Sequence, residues 1–194
     1  MAAEEEETMW QGPMEMLEAE HRVIQRVVGG MVRLEAALEE GEEPKVETLR
    51  AIVEFMRTYA DKCHHAKEEA LLFTLLERKG VPIGGCALGA LIHEHETGRA
   101  LVTALAEAAE AYQRDGVAAR EAVKLGLRAL VALYSAHIWK EDYLLFPMAN
   151  KLLTAEEQRE LRERFALAEA EIGRDVHERF EQFAETLERA VVSA

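Results

Sequence analysis

The chain has 194 residues, enough for one domain with a core of its own, and nothing in its composition asks for a second. Its formal charge of −14, from 23 basic against 37 acidic residues, repels phosphate backbones and anionic lipid, which argues against nucleic-acid and membrane partners. Two cysteines, Cys63 and Cys86, make no disulfide framework, and no run of about 18 apolar residues is there to span a bilayer, so a cytoplasmic setting is expected.

Residues 1–12, MAAEEEETMWQG, are charged and poor in aliphatics; they are expected to form a mobile acidic tail and read as neither secretory signal nor transit peptide. Gly12-Pro13 opens a first helix, since proline suits a first helical position where its missing N–H has no partner. Leu17, Ile24, Val27, Val28, Met31, Leu34 and Leu38 give it an inward stripe that also carries His21, and Gly41 and Pro44 end it.

A second helix is expected from about 45 to about 78, with the seam Leu49, Val53, Met56, Ala60, His64, Glu68, Leu71 and Leu75 in steps of three and four. The parallel pair His65 and Glu69 lies on a seam that runs back to Asp61, Thr58 and Glu54, which reads as a wet face. Residues 80–89, GVPIGGCALG, form an irregular connection whose glycines are no phosphate cradle, because no Gly-Lys-Ser/Thr follows. A third helix from near Ala87 carries Leu88, Leu91, Ile92, His95, Val102, Leu105 and Ala109 on one face and ends before Asp115-Gly116; His93 falls on the far side, in solvent.

The fourth helix starts near Val117 and carries Leu127, Leu130, Val131, Tyr134, His137, Glu141, Leu145 and Met148, with Pro147 expected to kink or end it. Thr154 to Glu157 has capping-box form and starts a helix to about 170, and a last helix from about 174 to 191 shows Val176, Phe180, Phe183, Leu187 and Val191 as a stripe. The domain reading is therefore a tail over 1–12, an all-α four-helix bundle over 13–152, and a helical C-terminal extension over 153–194 that covers the bundle or forms a homodimer interface.

One phrase occurs twice. CHHAKEEALLFTLL at 63–76 returns as AHIWKEDYLLFPMA at 136–149, so His64, Lys67, Glu68, Leu71, Leu72 and Phe73 match His137, Lys140, Glu141, Leu144, Leu145 and Phe146. Each copy has an upstream Glu-His pair: 43 residues separate His21 from His64, and 42 separate His95 from His137. On a helix, positions i and i+4 lie one above the other, so His64/Glu68 and His137/Glu141 can each offer an imidazole and a carboxylate to one point.

Antiparallel packing with short connections then brings His21 and His95 to the same level, which gives four histidines and two glutamates. Two carboxylates buried side by side without a cation would be costly, and two metal ions remove that objection. Imidazole mixed with carboxylate favours iron, manganese or zinc over calcium or magnesium. If both glutamates bridge and an oxygen from solvent bridges too, six-coordinate ions keep one open position each for dioxygen, nitric oxide or peroxide.

His21, His64-x-x-x-Glu68, His95 and His137-x-x-x-Glu141, with Leu-Phe after each His-x-x-x-Glu, resemble the hemerythrin-like HHE cation-binding proteins over residues 14–152. The resemblance implies an up-down-up-down four-helix bundle around an oxo- or hydroxo-bridged pair of iron ions. Oxygen-carrying hemerythrins have a further histidine four residues after the one on the third helix; Arg99 stands there in this chain. The set of four His and two Glu is closer to the family's iron-cluster repair proteins, whose cysteine-bearing N-terminal segment this chain lacks.

Single residues have plainer readings beside these. His65 either displaces His64 or acts behind it; His177 reads as a surface residue or one at the mouth of the bundle; Tyr59 and Tyr134 read as core packing, with a place behind the ligands as the second reading; Cys63 reads as a small buried hydrophobe. Lys67 and Lys140 either screen the acidic helices or are exposed. Three functions follow: a binder or sensor of a small diatomic or peroxide ligand, a redox enzyme turning such a ligand over in stress defence, or an iron-holding protein.

Overall fold

The computed structural model describes residues 12–84 and 87–190. The acidic stretch before Gly12 and Cys86 lie outside the described residues.

Helix α1 spans Pro13–Glu39, and its first turn is closed by the Gly12 N–H, which donates to Glu15 Oε2 at 3.1 Å. Gly41, at φ 92°, turns the chain out of the helix in a conformation that a side chain would strain. Rod α2 covers residues 46–78: it is α-helical over Val46–Phe55, π-helical over Met56–His65 and again over Glu68–Phe73, and α-helical over Thr74–Arg78. Helix α3 is Ala87–Asp115, and a 3-10 turn at Gly116–Ala119 leads into rod α4, residues 120–152.

Rod α4 runs as α-helix over Arg120–Lys140, as a π turn over Glu141–Leu145 and as α-helix over Phe146–Leu152. Pro147 therefore does not end it. The π turn lies directly upstream, so the altered hydrogen-bonding pattern coincides with the residue that has no N–H to give. Helix α5, Ala155–Ile172, has the expected capping box: the Thr154 N–H donates to Glu157 Oε2 at 2.9 Å and the Glu157 N–H to Thr154 Oγ1 at 3.3 Å. Helix α6 is Arg174–Ala190.

The four long rods form an all-α bundle whose interior has three layers. The larger apolar layer joins Val27, Met31 and Leu38 of α1, Leu49 and Phe55 of α2, Leu105 of α3 and Leu127 of α4. The smaller joins Leu17, Phe73, Leu91, Phe146 and, from α5, Leu161 and Phe165. Between them lies a polar layer of Glu20, His21, His64, His65, Lys67, Glu68, His95, His137 and Glu141, all buried.

The stripe of α6 is used within the chain, since Phe180, Ala184 and Leu187 join the larger layer. At Gly30 of α1 the side chain of Leu187 fills the space a Cβ would need: a Cβ there would lie 2.5 Å from Leu187 Cδ2. Among the described residues no helix is long and apolar enough to cross a membrane.

Candidate metal centre

The polar layer holds all six residues that the doubled phrase singles out. His21, His64, Glu68, His95, His137 and Glu141 are each at most 3% exposed. Nε2 of His21 is 2.9 Å from Nε2 of His64, and Nε2 of His95 is 3.1 Å from Nε2 of His137. Between these pairs lie the carboxylates: Glu141 Oε2 is 3.2 Å from both His21 Nε2 and His137 Nε2, and Glu68 Oε2 is 3.6 Å from His64 Nε2 and 3.5 Å from His95 Nε2. Nitrogens about 2.1 Å from a shared ion at neighbouring corners would be separated by much the same distance.

All four oxygens of Glu68 and Glu141 are buried without a hydrogen-bond partner. Such groups cost about 1–3 kcal/mol each, and more when charged, so the layer asks for something to satisfy them. Protons do part of this. Burial, and then the neighbouring Glu141, push Glu68 well above the carboxylate range. Burial works against ionisation of Glu141 too, but His137, His21 and His95 hold its carboxyl well below that range. Burial opposes a charge on His21, yet Asp142 and Glu141 raise it to about 10; His95 is raised against its burial by Glu141 and Glu69.

The outer nitrogens follow one rule, which the sequence reading missed. Nδ1 of His64 bonds Glu20 Oε2 at 2.9 Å, Nδ1 of His95 bonds Glu69 Oε1 at 2.7 Å, Nδ1 of His137 bonds Glu94 Oε2 at 3.0 Å, and Nδ1 of His21 bonds Asp142 Oδ1 at 2.6 Å. The links run α1 to α2, α2 to α3, α3 to α4 and α4 to α1, a closed belt around the bundle. Carboxylates in this position fix the ring orientation and leave Nε2 as the free donor atom toward the centre. Two signals for it were present in the sequence, the recurring Glu20-His21 and Glu94-His95 pairs and the acid that follows each phrase glutamate. The matched pair is Glu69 and Asp142, whose role is in the belt.

Three of the four belt carboxylates are themselves held. Lys67 Nζ donates to Glu20 Oε1 and, at 2.6 Å, to Glu169 Oε1; Lys140 Nζ donates to Glu94 Oε1; Arg99 Nη2 donates to Glu69 Oε1 at 2.7 Å. Lys67 is 1% exposed, so it is neither a surface residue nor a general screen. Burial would strip its proton, but Glu20 keeps its ammonium well above the usual lysine range.

His65 departs most from expectation. It is 2% exposed and faces the centre, with its ring parallel to that of His95 at 3.8 Å between centroids. The α-helical seam that put it on a wet face does not apply, because residues 56–65 are π-helical and the wider turn brings His64 and His65 inward together. Burial lowers its pKa to about 3.

His177 is also not a surface residue: from α6 its Nε2 reaches Cys63 Sγ at 3.3 Å and Glu20 Oε1 at 3.4 Å. Cys63 is buried as expected, yet it joins a polar cluster with Glu20 and His177. A cavity of about 720 Å³ between α1, α5 and α6 ends on that cluster, lined by Glu20, Tyr59, Glu169, His177 and Glu181 among others. Tyr59 and Tyr134 are both buried beside the layer, and His93 is in solvent.

The family profile of the hemerythrin HHE cation-binding domain matches residues 12–149, which takes in the first three rods, all but the last three residues of the fourth, and the six inward His and Glu of the polar layer. The chain belongs to the hemerythrin HHE cation-binding family. Uncharacterized proteins of Mycobacterium bovis and Mycobacterium tuberculosis are 25% identical to it over 155 residues, which is 78% of this chain and 58% of theirs. The chain thus spans less than two thirds of the length of these relatives. No solved structure matches it.

Proposed function

We propose that this hemerythrin-family chain binds two iron ions in the polar layer, held by His21, His64, Glu68, His95, His137 and Glu141, and that the pair binds or senses dioxygen, nitric oxide or peroxide. The observation that carries this reading is the four unpartnered oxygens of Glu68 and Glu141, buried among imidazole nitrogens whose far sides are already fixed by carboxylates. Imidazole and carboxylate in this mixture suit iron, with manganese and zinc as the next choices. An iron pair, once bound, supplies open coordination positions and electrons for a small ligand.

The chain's own residues do the rest. Glu68 and Glu141 lie between the two imidazole pairs, so each is placed to serve both ions. Glu20, Glu69, Glu94 and Asp142 each hold one ring by its Nδ1, which keeps Nε2 directed inward. The apolar layers above and below keep bulk water from competing for the centre.

Iron content after anaerobic loading tests the proposal. Two ions per chain, with a visible spectrum that changes on adding nitric oxide or dioxygen, is the expected result. Glu68→Ala and Glu141→Ala should each lose most of the metal, while Glu69→Ala, which removes only the outer partner of His95, should weaken binding by about tenfold or more without abolishing it. A parent protein that takes up no iron, or a Glu68→Ala variant that retains the full complement, would overturn it. Steady consumption of peroxide would move the reading from a binder to an enzyme.

A further inference from the structure

Glu20 turns Oε2 to His64 and Oε1 to a second group of ligand-type atoms, which the six inward residues of the polar layer do not include. Cys63 Sγ is 3.3 Å from His177 Nε2 and 3.7 Å from Glu20 Oε1, and His177 Nε2 is 3.4 Å from the same oxygen. Glu20 stands on α1, Cys63 on α2 and His177 on α6. A tetrahedral ion with nitrogen and oxygen at about 2.0–2.1 Å and sulfur at about 2.3 Å sets the nitrogen about 3.4 Å from the oxygen and the sulfur about 3.6 Å from either. The triangle already has nearly these edges.

The belt does not need this group. In the second half of the chain Glu94 holds Nδ1 of His137 and takes Lys140 behind it, while the position that matches Cys63 is Ala136, which is exposed. Cys63 and His177 are therefore additions to the first half. His177 lies beyond residues 12–149, the part that the family profile matches, so the cluster is a joint product of the family's domain and the C-terminal extension. Its ring is kept in place by Tyr59, 4.8 Å away between centroids, and its Nδ1 has Glu181 Oε1 at 3.7 Å, one turn on along α6.

Charge suits a divalent cation. Lys67 is shared between Glu20 and Glu169, so with Cys63 as a thiolate three negative groups face one ammonium, and the excess of two matches one such ion. The thiol proton passes to solvent as the bond from sulfur to metal forms. We propose that Glu20, Cys63 and His177 form a third metal position, apart from the polar-layer pair, that takes one zinc-class ion. A thiolate beside an imidazole selects zinc over calcium or magnesium. Glu20 and His177 also line the cavity of about 720 Å³, which gives the ion its way in and leaves its fourth corner to water or a small ligand. Zinc here ties α6 to α1 and α2, and it does not require iron in the polar layer.

Cobalt(II) is the probe, added to the full, reduced, metal-free chain. The six inward residues of the polar layer carry no sulfur, so a thiolate-to-cobalt charge-transfer band in the near ultraviolet reports on a cysteine. The parent should show that band, and zinc should bleach it. Cys86→Ala should keep the band and Cys63→Ala should lose it. His177→Ala should bind cobalt at this position at least about tenfold more weakly, since even the loss of an outer partner has that effect. A cluster held only by hydrogen bonds gives no band in the parent, and that result would overturn the proposal. So would a band that zinc does not displace, one that vanishes with Cys86 instead of Cys63, or an affinity unchanged in His177→Ala. Should Cys63→Ala not fold, His177→Ala still decides, because that side chain is 19% exposed and lies at the edge of the bundle.

Discussion

Arg99 Nη2 donates to Glu69 Oε1 at 2.7 Å, and the same carboxylate oxygen bonds Nδ1 of His95. The guanidinium therefore acts on the centre through one intermediary, with Asp61 as its second anchor. Arg99→Leu should free Glu69 to rotate and weaken metal binding by about tenfold, with Arg99→Lys in between. Competition with a chelator of known affinity measures this. Unchanged affinity in Arg99→Leu would show that the bond to Glu69 is incidental.

Glu20 and Glu94 are equivalent in the repeat but unequal in their surroundings. Glu20 is 4% exposed and keeps the buried Lys67 charged, whereas Glu94 pairs with Lys140, which is 38% exposed. Removing Glu20 leaves the buried Lys67 with Glu169 alone, a partner that is 30% exposed. Glu20→Ala should thus cost the metal-free protein about 3 kcal/mol. Glu94→Ala should cost about 1 kcal/mol or less, because water can solvate Lys140. Urea unfolding of the metal-free variants gives both values, and equal losses would contradict the asymmetry.

Much of this was legible in the sequence, and what escaped has identifiable causes. The four histidines and two glutamates stand at repeat positions with apolar neighbours, so periodicity alone carried them inward. His65 was misplaced because the seam argument assumes an α-helical period, and nothing in MRTYADKCHH announces a π-helical run. The belt was half visible, since Glu20-His21 and Glu94-His95 recur. Which imidazole each acid serves depends on how neighbouring helices face one another, and that is a property of the packed bundle. His177 lies in α6, outside the repeat, and could be linked to Glu20 and Cys63 only by knowing that α6 packs against α1.

Asp61 gives a pH dependence with a definite sign. Burial alone would raise its pKa, but His65 and Arg99 beside it hold it at about 2, below its ordinary 3.8. The aspartate's contribution to stability is therefore complete above about pH 4 and disappears as the pH falls toward 2. Because the carboxylate is partly exposed, about 1 kcal/mol is expected once screening by solvent is allowed for. Asp61→Asn should lower the urea midpoint of the metal-free protein at pH 7, and the gap from the parent should close near pH 2. A gap that does not shrink with acid would mean that the charge of Asp61 contributes nothing.

Gly30 tests how α6 is held. A methyl group there would press on Leu187, whose Cγ lies 2.6 Å from the position a Cβ would take. Gly30→Ala should cost about 1–3 kcal/mol through overpacking, with α6 shifted and His177 drawn away from Glu20. Hydrogen exchange should speed up over residues 174–190 and little elsewhere. Unaltered protection there would mean that Leu187 yields without moving its helix.

The belt of four carboxylate–imidazole links contains two kinds of joint. Glu20 with His64 and Glu94 with His137 stay inside their own half of the chain, while Glu69 with His95 and Asp142 with His21 cross from one half to the other. The crossing joints are one joint used twice, each half presenting a donor ring and an acceptor acid to its counterpart. A single helical hairpin of this kind carries an edge that is complementary to a copy of itself, as the halves of a twofold dimer do. The fused chain can then let its halves diverge, as His65 opposite Ile138 shows, without giving up the seam that joins them.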